Sequence, residues 1–130
     1  MVTEHRKKVL IVDDETSMVS VLQRHVSNAG YVYESASNGQ EALDKIQREM
    51  PDLVLLDLMM PGLNGFETCR RLRADEKTKK LPVIIITALR SDTDSADAAA
   101  CGANEFMVKP INADNLAKRL RLYLGSPFKV

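Results

Sequence analysis

Cysteine is scarce: Cys69 and Cys101 are the only two in 130 residues, and no short spacing links them. That excludes a disulfide framework and a zinc site built on closely spaced cysteines, and predicts two reduced thiols. Long hydrophobic runs are missing as well. Stretches such as Val83 to Ile86 are far too short to span a membrane. The first eight residues are charged, with no long apolar region behind them, so no secretory signal is expected and a cytoplasmic location is. An excess of one charge is also absent, with 18 Lys and Arg against 18 Asp and Glu. Direct nucleic-acid binding or membrane association by bulk charge is therefore not expected. Neither internal repeats nor low-complexity tracts interrupt the chain. Its length predicts one domain over residues 1–130, with a core over about 7–124. A chain this long buries roughly two thirds of its unfolded surface and needs no staple to fold.

What is present is an alternation of short apolar runs and longer amphipathic stretches. Lys8 to Val12 reads as a buried strand ending at Asp13-Asp14. Residues 16–29 follow as a helix, with Met18, Val21, Leu22 and Val26 on one face and Gly30 as a stop. Tyr31 to Ala36 is a second, less apolar strand, and Glu41 to Met50 a helix with Ala42, Leu43 and Ile46 inward. Leu53 to Leu56 is apolar at every position, which fits a parallel sheet covered on both faces, and it ends at Asp57. A Pro- and Gly-containing loop leads to a helix from Phe66 to about Ala74. Val83 to Ile86 is a fourth strand ending at Thr87. Ser91 to Cys101 is an Ala- and Asp-rich helix with a thin apolar face. Glu105 to Val108 is a short fifth strand before Lys109-Pro110, and Asn112 to Leu124 a last helix with Leu116, Leu120 and Leu124 inward. Five strands alternating with five helices predict an α/β fold, a doubly wound parallel sheet with right-handed crossovers.

In such sheets the functional site lies at the carboxyl ends of the strands. Those ends carry Asp13 and Asp14, Asp57, Thr87 and Lys109. Three converging carboxylates repel one another, and a divalent cation relieves the repulsion. Oxygen ligands without His or Cys point to a hard ion such as Mg²⁺, which commonly bridges carboxylates to phosphate. A carboxylate can also serve as a nucleophile and form an aspartyl phosphate. Its developing charge would be met by the metal, an ammonium and a hydroxyl. Taken singly, each residue also fits a plain structural role: a helix cap, a strand-end threonine, a solvated lysine.

Four segments carry a family resemblance. Val9-Leu10-Ile11-Val12-Asp13-Asp14-Glu15 resembles the start of a response-regulator receiver domain, the CheY-like family of two-component signalling. Leu55 to Gly65, Ile85-Ile86-Thr87-Ala88 and Phe106-Met107-Val108-Lys109-Pro110 match its remaining motifs, in order and over nearly the whole chain. The resemblance implies a flavodoxin-like (βα)5 sheet of strand order 2-1-3-4-5. It implies Asp57 as phosphoacceptor, with the phosphoryl group supplied by a histidine kinase or histidine phosphotransfer domain. It implies Mg²⁺ held by Asp14, Asp57 and the Met59 carbonyl, with Asp13 acting partly through water. Lys109 would pair with the phosphoryl oxygens. Thr87 would move toward them and Phe106 would follow inward, reshaping the face made by the fourth helix, fifth strand and fifth helix. Phosphorylation would thus bias two pre-existing states. Such a domain is a signalling switch, not an enzyme beyond its own phosphoryl transfer and dephosphorylation.

Position 106 is often Tyr in that family, and Phe lacks the hydroxyl to bond an output partner. Met59 and Leu89 are apolar at positions that flank the phosphoryl group in the family, and are expected to hinder attacking water. Val19, off the apolar stripe, is a docking candidate for the phosphodonor. His25, near the stripe, reads as partly buried packing. Lys118, Arg119 and Arg121 read as a solvated face, or as a basic surface for an acidic output protein. Competing readings are weaker. A haloacid dehalogenase-like phosphatase needs a second acid two places after the nucleophile, where Met59 stands. A nucleotide-binding domain needs a Gly-rich loop after strand one, which is lacking. A degenerate receiver, binding partners without phosphorylation, conflicts with the complete residue set. The sequence fits a stand-alone receiver and a piece of a longer regulator or hybrid kinase equally.

Overall fold

The computed structural model describes residues 6–58, 60, 62–88 and 100–128. The parallel sheet contains β1 (Lys8–Val12), β2 (Val32–Ala36), β3 (Leu53–Leu56), β4 (Val83–Thr87) and β5 (Glu105–Val108). Its order is β2-β1-β3-β4-β5. The helices among the described residues are α1 (Thr16–Asn28), α2 (Gly39–Arg48), α3 (Gly65–Ala74) and the last helix, α4 (Ala113–Leu124). The helix expected over 91–101 lies outside the described residues, apart from Ala100 and Cys101.

The all-apolar strands are explained by burial on both faces. Leu10, Val12, Val54, Leu56, Val83 and Ile85 pack with Ala42 and Ile46 of α2 and Leu72 of α3. The alternate residues Val9, Ile11, Leu53, Leu55, Ile84 and Ile86 pack with Leu22 and Val26 of α1 and Leu116, Leu120 and Leu124 of α4. Period-two alternation therefore feeds two cores, not one core and a wet face. Cys69 and Cys101 form no disulfide and are buried in the first core. Burial, and Cys101 beside it, push the Cys69 thiol up to about 12.

Local signals set the helix starts. The Asn38, Asn64 and Asn112 side chains accept from the backbone N–H of Glu41, Glu67 and Asn115, each satisfying an N–H that the first turn leaves open. The face of α1 requires a correction. Val21 is exposed, whereas Met18 and Val19 pack against the core. The buried stripe runs 18–19–22–26, so Val19 lies inside it and Val21 at its edge. His25 is partly buried, as expected.

The chain after α4 turns back under the sheet. Gly125 has φ 66°, a left-handed geometry open to glycine. Its carbonyl accepts from the Tyr31 hydroxyl at 2.7 Å. Arg6 and Phe128 then form an antiparallel bridge, the Lys7 N–H donates to the Pro127 carbonyl at 2.7 Å, and the Arg6 guanidinium lies 5.1 Å from the Phe128 ring centroid. This clasp sits at the amino ends of β1 and β2.

Candidate functional site

At the opposite end the strand register brings the acidic residues together. Val12 pairs with both Ala36 and Leu56. The next step of the ladder continues it: the Asp13 N–H donates to Ala36 at 3.1 Å and the Asp57 N–H to Val12 at 2.9 Å. Asp13 and Asp57 are thereby fixed side by side by backbone pairing. Both are nearly excluded from solvent, at 2% and 4% exposure. The chain then turns sharply. The Glu15 N–H donates to Asp13 Oδ1 at 2.9 Å, which leaves Asp14 exposed. Carboxylate oxygens of Asp13, Asp14 and Asp57 all lie within 4.8 Å of one another.

β5 supplies the cation. The Lys109 N–H donates to the Thr87 carbonyl at 2.7 Å, and Lys109-Pro110 is a cis peptide. Lys109 Nζ lies 3.1 Å from Asp13 Oδ2 and 3.8 Å from Asp57 Oδ1. The lysine therefore bridges two buried carboxylates, and its nearer partner is Asp13. Thr87, at the end of β4, is completely buried. Phe106, paired with Ile85, is partly buried against the first core. The backbone just after Asp57 is held from behind by Gly65, whose N–H donates to the Leu58 carbonyl at 3.2 Å. A Cβ at Gly65 would overlap the Asp57 carbonyl oxygen and come within 2.8 Å of Leu58 Cα.

Asp13, Asp14, Asp57, Thr87 and Lys109 are thus assembled at one sheet edge, as the strand ends predict. Met59 and Leu89 lie outside the described residues, so the expected Met59 carbonyl ligand does too. The donor set of three carboxylates suits a hard divalent cation. Sequence reasoning missed the neighbouring groove. It has a volume of about 180 Å³ and is lined by Asp13, Asp14, Ser35, Ser37, Glu41 and Lys45 among others. The polar end of β2 was the only trace of it in the sequence. Of the basic residues on α4, Arg119 pairs with Glu105 at 3.3 Å, while Lys118 and Arg121 are exposed. No described helix is long and apolar enough to cross a membrane.

Comparisons with known proteins agree with the fold. The family model described as response regulator receiver domain matches residues 9–121. A probable transcriptional regulator of Guillardia theta, ycf27, is 41% identical over 121 residues, covering 93% of this chain and 46% of that protein. The chain spans about half the length of the first curated relatives it matches. The Vibrio cholerae chemotaxis protein CheY4 is similar in structure, with TM-score 0.85 and 34% identity over 92% of this chain and 99% of that one. The receiver domain of a sensor histidine kinase from Pseudomonas aeruginosa aligns with TM-score 0.86 and 26% identity, over 93% of this chain and 99% of that one. That structure has a magnesium ion coordinated in its active site cleft.

Proposed function

The chain belongs to the response regulator receiver domain family of two-component signalling, and on that premise we propose that it is a phosphorylation switch whose acceptor is Asp57. The observation that carries this reading is the placement of Asp57. It is buried at the end of β3, 3.8 Å from the Lys109 ammonium and within 4.8 Å of two further carboxylates. A structural carboxylate gains nothing from two like charges at that distance, whereas a nucleophile beside a divalent cation does.

Asp14 and Asp57 would hold Mg²⁺ directly, with the Met59 carbonyl, and Asp13 through water. When bound, the ion supplies positive charge that offsets the carboxylates and the transferring phosphoryl group. An Asp57 carboxylate oxygen attacks the phosphorus of a phosphohistidine. An O–P bond forms, the P–N bond breaks, and the electron pair leaves with the imidazole. Lys109 already faces Asp57 and would hold the phosphoryl oxygens. The Thr87 hydroxyl would donate to one of them, and Phe106 would close the space that Thr87 vacates. The face around β5 and α4 would then change shape for an output partner. The phosphodonor class is a histidine kinase or histidine phosphotransfer domain.

Intact mass after incubation with acetyl phosphate and Mg²⁺, beside an Asp57→Asn control, tests the proposal. The expected result is a gain of one phosphoryl group that requires Mg²⁺ and is absent from the control. No gain in wild type, or a gain that survives in Asp57→Asn, would overturn the assignment of Asp57.

A further inference from the structure

The groove beside the acidic cluster carries two charged side chains that no step above uses. Glu41 and Lys45 stand one turn apart on α2 and pair at 3.4 Å. Lys45 Nζ also donates to the Ser35 carbonyl at 2.5 Å, and the Ser37 hydroxyl donates to Glu41 Oε2 at 3.1 Å. Burial pushes the Glu41 carboxyl up, but hydrogen bonds from Ser37 and Lys45 outweigh it and hold the group below its ordinary range. Glu41 is therefore an anion at neutral pH, fixed in place along with its cationic partner. Both line the same groove as Asp13 and Asp14. Asp14, the exposed member of the cluster, is part of the groove lining.

We propose that this groove is the hydrated approach by which a divalent cation reaches Asp13, Asp14 and Asp57, and that the Glu41–Lys45 pair, by staying balanced, leaves the affinity to the cluster's own charges and changes it when either partner is neutralised. This deepens the cation reading given above and rests on it. The physical reason is charge balance. Together the two side chains present nearly no net charge to the cluster, so the three carboxylates and Lys109 dominate the local field. Neutralising Glu41 uncovers the Lys45 ammonium, which repels an incoming cation. Neutralising Lys45 uncovers the Glu41 carboxylate, which attracts it. In water at low salt, a unit charge about 10 Å from a divalent ion changes its affinity on the order of three- to tenfold. Ser35 and Ser37 add hydroxyls on the same wall that can bond the waters a hard cation retains.

The test is a titration of the protein with Mn²⁺ followed by electron paramagnetic resonance, with Mg²⁺ as competitor. Glu41→Gln is expected to weaken binding three- to tenfold, and Lys45→Met to strengthen it by a similar factor. Lys45→Arg, which keeps the charge, is expected to match wild type. The differences should shrink near 1 M salt, where the Debye length falls to about 3 Å. A purely structural role would weaken binding in both Glu41→Gln and Lys45→Met. That outcome, or unchanged affinity in Glu41→Gln, overturns the proposal while leaving the cation site standing. Absence of Mn²⁺ and Mg²⁺ binding in wild type overturns the cation site itself. Glu41→Gln leaves the bond from Lys45 to Ser35 intact, so its arm decides alone if Lys45→Met does not fold.

Discussion

Replacing Gly65 by alanine should destabilise the protein, against the expectation from helix propensity. Gly65 is the first residue of α3, and in an unconstrained helix the change to alanine stabilises by roughly 0.5–1 kcal/mol. Here the added methyl would meet backbone on the far side of the acceptor. Its nearest atoms are the Asp57 carbonyl oxygen, Leu58 Cα at 2.8 Å and the Asp57 carbonyl carbon at 3.0 Å. Ordinary carbon contacts lie near 3.5–4.0 Å, so α3 or the acceptor loop must retreat by roughly 1 Å. Overpacking of this kind costs about 1–3 kcal/mol, since backbone cannot rotate aside as a long side chain can. After the propensity gain, a net loss remains that is about 1 kcal/mol at mid-range and at most about 2.5 kcal/mol. For a chain of this size that lowers Tm by roughly 3–10 °C. Urea unfolding followed by circular dichroism measures the loss directly. Phosphorylation by acetyl phosphate should slow on the order of tenfold or more, because the retreat moves the atom that must attack. A Gly65→Ala protein as stable as wild type would refute the close approach. A destabilised protein with an unchanged phosphorylation rate would show that the acceptor does not feel it.

Lys109→Met leaves two buried carboxylates without their bridge. Without divalent cation it should cost about 3–5 kcal/mol, and saturating Mg²⁺ should return part of that. Matching urea midpoints for wild type and variant in a chelating buffer would contradict the bridging role. The Cys69 thiol, pushed up to about 12, is ionised in only about one molecule in ten thousand at pH 8. Iodoacetamide at pH 8 should therefore leave it unmodified in the native protein and label it in urea, and fast native labelling would count against its burial. Met59→Asn should shorten the phosphoryl lifetime by admitting water. Time-resolved loss of phosphate checks this, with unchanged or slower loss as the negative result.

The strand ends were legible because two constraints coincide there. Full burial forces an unbroken apolar run, and the first polar residue after the run must lie at the sheet edge. Asp13, Asp57 and Thr87 each follow such a run, and Lys109 comes one residue after β5 ends, so their convergence could be read directly. Helix faces were less legible. Val21 and Val19 are the same residue type two positions apart on α1, and only the packing of α1 on the sheet decides which is covered. The preference of Lys109 for Asp13 over Asp57 was also hidden, since fractions of an ångström are set by strand register and not by residue order. The groove of Ser35, Ser37, Glu41 and Lys45 left no trace beyond the polar end of β2. It draws one wall from β2 and the other from α2, and each residue alone reads as an ordinary solvated side chain.

The clasp beneath the sheet has a practical consequence for protein engineering. Arg6 and Phe128 are bridged neighbours, so a short Gly-Ser linker could join those positions without crossing either face. Circular permutants of this domain should then be constructible, with new termini opened in an exposed turn such as the one after α3. Fluorophores or affinity tags attached beside the clasp would sit a full strand length away from the acidic cluster, which makes that corner the natural handle for surface immobilisation.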